Sequence, residues 1–483
     1  MKKLAGLVII LAALVLGGYY GMGVLTERTI RKNIEVIDQS NGIHAEVENY
    51  NRSLFSSDAK IKWQLHIPER VITDESGQSQ TVPAQDYTVS MPLKIYHGPV
   101  IYTNNKVRFG LGYAESAFPF PHEYDAQFDK TFTSESIKPQ LDLSVFVNYL
   151  NESTLDSKVP AFKLFAKEGN GRFDWLGMNS TATMSAGMKK VDGTIAFEGA
   201  RISKDDAVVD LGKIISDYNL HETLSGLYLG NANFNLPSFS ITVKGQKLFE
   251  ISELQIKSDS DIKENLFSTS FSLSVKSVLA NEKNYGPGDL EIALRNLDAE
   301  VLAKINQQAN AMQQGTDAQR QQAIIELLPE LPKLFSKGAE FEISKLNLVI
   351  PQGTIDGNLF LSLPKGDNAN PFELMQKIHG NAKLKVPSAA VKELMLRSVK
   401  QQMEKQPEMK QQLQAAQVTA TQPNQEASSV DQLASAQVDK QLGLLQQNGL
   451  ITVQGTDYLV EVTLDQGKFI VNGKPFDPSM LKF

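Results

Sequence analysis

The chain has no cysteine among its 483 residues. That absence excludes disulfides, thiolate nucleophiles, lipid attachment through a thioether, and zinc or iron–sulfur sites of the cysteine kind. In an oxidising compartment, folding then rests on packing and hydrogen bonds alone. A strong excess of one charge is missing too: 48 Lys and Arg against 55 Asp and Glu leave −7. No basic patch with interleaved aromatics occurs, so nucleic acid is not expected as a partner. Histidine is scarce, and His44, His66, His97, His122, His221 and His379 include no H-E-x-x-H pair. No G-x-S-x-G, Walker loop or dinucleotide fingerprint is present. His44-Ala45-Glu46 has the H-x-E of zinc deaminases, which also need a cysteine pair that this chain lacks. Ser57-x-x-Lys60 and Ser260-x-x-Lys263 match one element of penicillin-recognising enzymes without the companion S-D-N and K-T-G. Asp259 and Asp261 have calcium-loop spacing, but the third acid and the turn glycine are missing, and a solvated hairpin turn is expected there. No catalytic, cofactor-binding or metal-binding residues are expected, and no cofactor.

Long apolar runs are also absent, with one exception at the start. Lys2 and Lys3 precede an uncharged, mostly apolar run over 4–25, and Glu27 is the next charge. At about 1.5 Å per helical residue the run reaches roughly 33 Å, against a bilayer core of about 30 Å. A secretory apolar region is shorter, about 7–15 residues, and ends in small residues. Here Tyr19, Tyr20 and Met22 occupy that place. The expectation is an uncleaved single-pass anchor over 1–26, carried by Leu4, Leu11, Leu14, Leu16, Tyr19, Tyr20 and Leu25. By the positive-inside rule its N-terminus is cytoplasmic, with the bulk of the chain on the far side of the membrane.

Beyond the anchor, period-2 alternation dominates. Ile61, Trp63, Leu65 and Ile67 lie on one face of a strand; so do Val89, Met91, Leu93 and Ile95. Val107, Phe109, Leu111 and Tyr113 read as one strand, and Leu141, Leu143, Val145 and Val147 as another. The pattern recurs to Tyr458, Val460, Val462 and Leu464, with a turn at Asp465-Gln466-Gly467. Helical spacing appears only late. Asp298 is a candidate N-cap, and Thr316-x-x-Gln319 a capping box. Ser388 is placed to cap a third helix and Ser429 to open a fourth, which Gly449 stops. The fold class expected is β-rich α+β: a transmembrane helix, then a large, mostly antiparallel sheet region with amphipathic helices in the C-terminal half. The divisions are a β-rich periplasmic region 27–297, a helical segment 298–340, a β segment 341–387, a helical pair 388–449 with a linker at 419–429, and a C-terminal hairpin 450–483.

Punctuation residues carry a family resemblance. Tyr50-Asn51-Arg52-Ser53-Leu54-Phe55-Ser56-Ser57 resembles the Y-x-R-G-x-F-S-S signature of the YdgA-like family, with Ser53 at the glycine. His97-Gly98-Pro99 resembles its H-G-P element. Gly338-Ala339-Glu340-Phe341-Glu342-Ile343, with Ala339 at a proline, and then Pro351-Gln352-Gly353 resemble a later stretch. Asn472-Gly473-Lys474 resembles its N-G-K ending. The resemblance implies an inner-membrane protein with a large periplasmic part, a homodimer as candidate assembly, and no assigned activity.

Three functions stay open on the sequence. The first is a non-enzymatic envelope protein, tethered to the inner membrane and acting by binding or structural contacts. The second is a lipid-binding or lipid-transfer protein with an apolar groove, of the kind the strand-plus-N-G-K ending suggests by its similarity to AsmA-type envelope proteins. The third is an unrecognised enzyme, for which His97 is the one candidate residue. Strands with one apolar face suit the first two equally, because helices, a second sheet or a lipid can cover that face.

Overall fold

The computed structural model of the protein describes residues 2–38, 43–67, 70–73, 79–314, 327, 329–366, 376–405, 424–477 and 480. The protein is β-rich with few helices. It divides into two compact units, Met1–Leu248 with Ala303–Ile325, and Phe249–Leu302 with Glu326–Phe483. The expected β-rich stretch 27–297 therefore contributes to both.

The first unit opens with helix α1, Lys2–Asp38. It does not stop at the expected boundary of 26. Glu27 and Arg31 form a favourable i,i+4 pair at 3.0 Å, and Ile30 and Ile34 supply an apolar stripe that carries the helix on. Strands β1 (Ile43–Arg52) and β2 (Ser56–Ile67) form a hairpin; β3 (Arg70–Thr73) and β4 (Ser79–Val82) make a small separate one. β5 (Gln85–His97) returns along β2, setting Ile61 opposite Met91 and Ser57 opposite Ile95. β6 (Val100–Thr103) and β7 (Lys106–Phe109) form a third hairpin, followed by β8 (Gly112–Phe118), helix α2 (Asp125–Thr131) and β9 (Leu141–Val147).

The single strand expected over 107–113 is therefore two elements. Gly110 crosses so close to β9 that a Cβ would lie 2.5 Å from the Val147 carbonyl oxygen, and the chain turns there. Val107 and Phe109 consequently face outward instead of joining the core.

Five further hairpin arms complete this unit, and four of them are broken at one level. β10 (Ser153–Val159) continues as β11 (Phe162–Phe165), and β12 (Arg172–Trp175) as β13 (Met178–Met184). β14 (Lys190–Phe197) continues as β15 (Ala200–Lys204), and β16 (Ala207–Leu211) as β17 (Ile214–Glu222). β18 (Tyr228–Val243) runs unbroken along both β17 and β16. The sheet order is β1-β2-β5-β8-β9-β10-β13-β14-β17-β18, antiparallel throughout. The breaks are stitched to their neighbours: Leu176 N donates to Gly199 O at 2.9 Å, Glu198 N to Gly177 O at 2.8 Å, and Gly212 N to Ser238 O of β18 at 2.8 Å. Gly177 and Gly199 hold φ of +122° and +120°, conformations that side chains resist. Stacked bulges of this kind crease a sheet.

The second unit is a meander. Strands Gln246–Lys263, Leu266–Ala280, Gly288–Asp298, Glu340–Ile350, Gly353–Ser362, His379–Pro387, Asp457–Asp465 and Lys468–Val471 pair antiparallel in that order. Asp259 and Asp261 do not form a turn. They sit within a strand opposite Ser270 and Ser268, and the turn falls at Glu264-Asn265, whose φ of +51° and +64° suit a two-residue hairpin. Asp298 caps helix α3 (Ala299–Gln314), its carboxylate accepting from the Glu300 and Val301 amides. Thr316 and Gln319 lie outside the described residues. Ser388 does not cap its helix, Ser388–Lys405; its hydroxyl donates to Thr456 O at 2.7 Å and ties the helix to a strand turn. The last helix begins at Asn424, before Ser429, so 424–429 of the expected linker are helical and 419–423 lie outside the described residues. These two helices pack on each other through Val399, Ala434, Val438 and Leu442, and Gly449 ends the second with φ +76°.

Candidate functional site

One apolar row runs across five strands of the first unit: Ile95, Ala114, Val145, Leu155 and Ala182 stand in register. Its cover is α1 rather than the late helices. Ile30 and Ile34 reach down to Ala45, Ile61 and Ala59, with Trp63, Met91 and Leu93 beside them. Between helix and sheet a cavity of about 350 Å³ remains, lined almost entirely by apolar groups. Thr26, Thr29, Ile30 and Ile34 form its roof; Trp63, Leu93, Val145, Leu155 and Met184 belong to its floor. A larger depression of about 720 Å³ involves Asp58, Lys94, Asn104, Glu115 and Asp156. Lys94 pairs with Asp58 at 2.9 Å, Glu115 accepts from the Asn104 amide at 2.8 Å and Asp156 from the Thr181 hydroxyl at 2.7 Å, so these groups form no reactive constellation.

The motif residues hold α1 in place. Tyr50 and Arg52 end β1, Phe55 stands in the corner, and Ser56 and Ser57 open β2. His97 ends β5, and Gly98-Pro99 leads to β6. His97 and Ser57 are each 1% exposed. Leu54 O can only accept, so His97 Nδ1 donates to it at 3.1 Å; Nε2 then accepts from the Ser57 hydroxyl at 2.8 Å. Burial, first, and the nearby Arg52 charge hold His97 below its ordinary pKa, while the Leu54 hydrogen bond pulls the other way. The neutral ring is thereby kept.

Against that ring lies Gly23 of α1, where a Cβ would sit 2.8 Å from Nδ1. One turn on, Thr26 Oγ1 bonds Met22 O at 2.8 Å and Leu111 O at 3.3 Å. Arg52 pairs with Glu27 at 3.0 Å and stacks over Tyr20 at 5.2 Å. Tyr19 meets Phe55 edge-on at 4.8 Å and donates its hydroxyl to Val100 O. Gly98 has no room for a Cβ, which would strike the Gly110 carbonyl. Tyr50 lies under the Arg31 guanidinium, and burial pushes its phenol up.

Ser57 and His97 have the connectivity of a hydroxyl and its base, a partner for His97 that the sequence alone did not reveal. The Ser57 hydroxyl is buried beside the Tyr50 phenol, however, and Nδ1 faces a backbone carbonyl instead of a carboxylate. The pair is a sealed brace for the helix.

Of the expected anchor residues, Leu16, Tyr20 and Leu25 are exposed and Tyr19 is half-buried. The side chains of Leu4, Leu11 and Leu14 lie outside the described residues. Among the described residues no helix is long and apolar enough to cross a membrane. Asn472, Gly473 and Lys474 belong to the second unit and make a two-residue hairpin turn with φ of +49° and +78°. There Asn472 accepts from Glu461 N and donates to Gly449 O, which fixes that turn against the end of the last helix.

A family model described as a bacterial protein of unknown function, DUF945, matches residues 1–479. The chain belongs to that family. No curated protein matches it. For a DUF945 chain the residues that sequence reasoning missed are Gly23, Thr26, Glu27, Ile30 and Ile34. Their signal was present: 26, 30 and 34 follow at i, i+4 and i+8, a helical stripe continuing past the uncharged run.

Proposed function

We propose that the protein is an envelope protein tethered to the bacterial inner membrane by the uncharged run at the start of α1, with its N-terminus cytoplasmic and its body periplasmic, and that it acts by binding an acyl chain. The observation that carries this reading is the apolar cavity of about 350 Å³ roofed by α1. Its size falls in the range of small-molecule sites, about 300–1,000 Å³. Its lining offers an elongated apolar ligand burial and offers a polar one almost nothing. The Lys2-Lys3 flank, the run over 4–25 and the YdgA-like resemblance support the tether.

A lipid chain entering beside the helix would travel a short way from the membrane to the cavity, since roof and tether are one helix. Mass spectrometry of lipids retained by the full-length protein after exhaustive detergent exchange tests the reading. A stoichiometric, chain-bearing lipid is expected in the native protein. Leu155→Trp, which fills the cavity from the floor, should lose it while melting normally. Equal retention by both proteins would assign the lipid to the surface of the helix and sink the proposal.

A further inference from the structure

The β6–β7 hairpin is turned inside out for a water-facing element. Val100 stands opposite Phe109 and Tyr102 opposite Val107, so all four share one face, and all four are exposed, Tyr102 at 68% and Phe109 at 64%. The face turned inward instead carries Ile101, Thr103 and Arg108. Alternation gave this hairpin the choice of burying either face, and it keeps its bulky apolar face outside. Leu150, at 75% exposure, adds to the apolar surface near the same end, next to Tyr149, whose hydroxyl donates to Pro99 O at 2.6 Å.

We infer that this face is a second membrane contact, seated in the interfacial layer of the bilayer that holds α1. Continuity with the helix identifies the occupant. Tyr19 joins the hairpin directly through its hydrogen bond to Val100 O at 2.7 Å, and Phe55 packs on Tyr19. Tyr19 lies within the uncharged run of α1, whose first following charge, Glu27, is about 12 Å further along the axis. The hairpin therefore sits on the apolar side of that polarity change. Tyrosine and phenylalanine there suit the headgroup boundary. Two contacts, a helix and a hairpin rigidly bonded to it, would set the tilt of the body and hold the α1 cavity close to the lipid surface.

This inference rests on the tether reading, and one experiment separates the two. Because the chain has no cysteine, Tyr102→Cys, Phe109→Cys, Leu14→Cys and Ile202→Cys each give the full-length protein a single labelling site. Each is labelled with an environment-sensitive fluorophore and reconstituted into phosphatidylcholine–phosphatidylglycerol vesicles carrying spin-labelled lipid. The labels at 102 and 109 should lose emission to a spin label near the headgroup, and that at 14 to one at mid-chain. The label at 202, exposed but four strands from β8, should lose none. Quenching at 14 without quenching at 102 and 109 would overturn the hairpin contact and leave the tether intact. No quenching at 14 would remove the tether and this inference with it. Disulfide formation between Tyr102→Cys copies without lipid quenching would give the face to a second copy, and would overturn the inference as well.

Discussion

Gly23 and His97 form a contact between helix and sheet with no room for an added methyl group. A glycine inside a helix ordinarily costs about 1 kcal/mol relative to alanine, so propensity alone says that Gly23→Ala stabilises. The imidazole ring, 2.8 Å from where the methyl would sit, argues the other way. Because His97 is braced by Ser57 and Leu54 it has no free rotation to give, and overpacking of about 1–3 kcal/mol should win. Thermal melting of Gly23→Ala should show a lower midpoint. In a His97→Ala background the same substitution should become neutral or stabilising, and the double-mutant cycle measures the contact.

His97 also predicts a pH dependence. Its folded pKa lies below its ordinary 6.5, so the unfolded chain binds the proton more readily. The stabilisation is complete above about pH 6.5 and is lost as pH falls from there through the lower folded value. Melting midpoints of the wild type and of His97→Gln between about pH 8 and pH 5 check this, and the variant should show the shallower slope. Both residues were visible in the sequence only as a lone histidine and an unremarked glycine. Their meeting depends on a register between α1 and β5 that no local pattern encodes.

At the scale of elements, alternation carried most of what was legible. The strands around Ile61, Met91, Val145 and Val460 lie where period-2 spacing put them, because each must bury one face. What alternation missed were places where glycine interrupts it. Gly110 splits the strand expected over 107–113, and the crease at Gly177, Gly199 and Gly212 divides strands that hydrophobicity alone reads as continuous. Gly199 is the critical residue of the crease: besides its φ of +120°, a Cβ would sit 2.7 Å from Leu211 O. Gly226 has a left-handed φ of +78° but open space around it. Gly226→Ala should therefore cost only the backbone term, about 1–2 kcal/mol. Gly199→Ala should cost more and increase amide exchange along β15 and β16, because the carbonyl it displaces belongs to the neighbouring strand. Equal costs at the two sites would mean that the crease is not a tightly packed feature.

For the whole molecule, the decisive fact is that the uncharged run and the cavity roof belong to one helix. A division at residue 26, natural from the uncharged run alone, cuts through the interface: Tyr19, Gly23 and Thr26 would be lost while Ile30 and Ile34 stayed. The cavity was illegible for the same reason. Its floor is written as alternation in six strands, but its roof lies in the charged turns of α1 just past the uncharged run, where composition alone draws a boundary. Two truncations separate the roles. A chain beginning at residue 15 keeps every described contact of α1 with the sheet. It should stay folded, keep its acyl ligand and hold membranes only through the weaker hairpin contact. A chain beginning at residue 39 exposes the row through Ile95, Ala114, Val145 and Leu155, and should melt lower, bind a hydrophobic dye and retain no lipid. Saturating the first chain with a long-chain fatty acid at about 100 times its Kd should raise its stability by about 2.7 kcal/mol, with no such gain for the second. A gain shared by both would place the ligand away from α1. Loss of folding in both would show that residues 2–14 support the fold as well as the anchor, and the tether would then be a structural element in its own right.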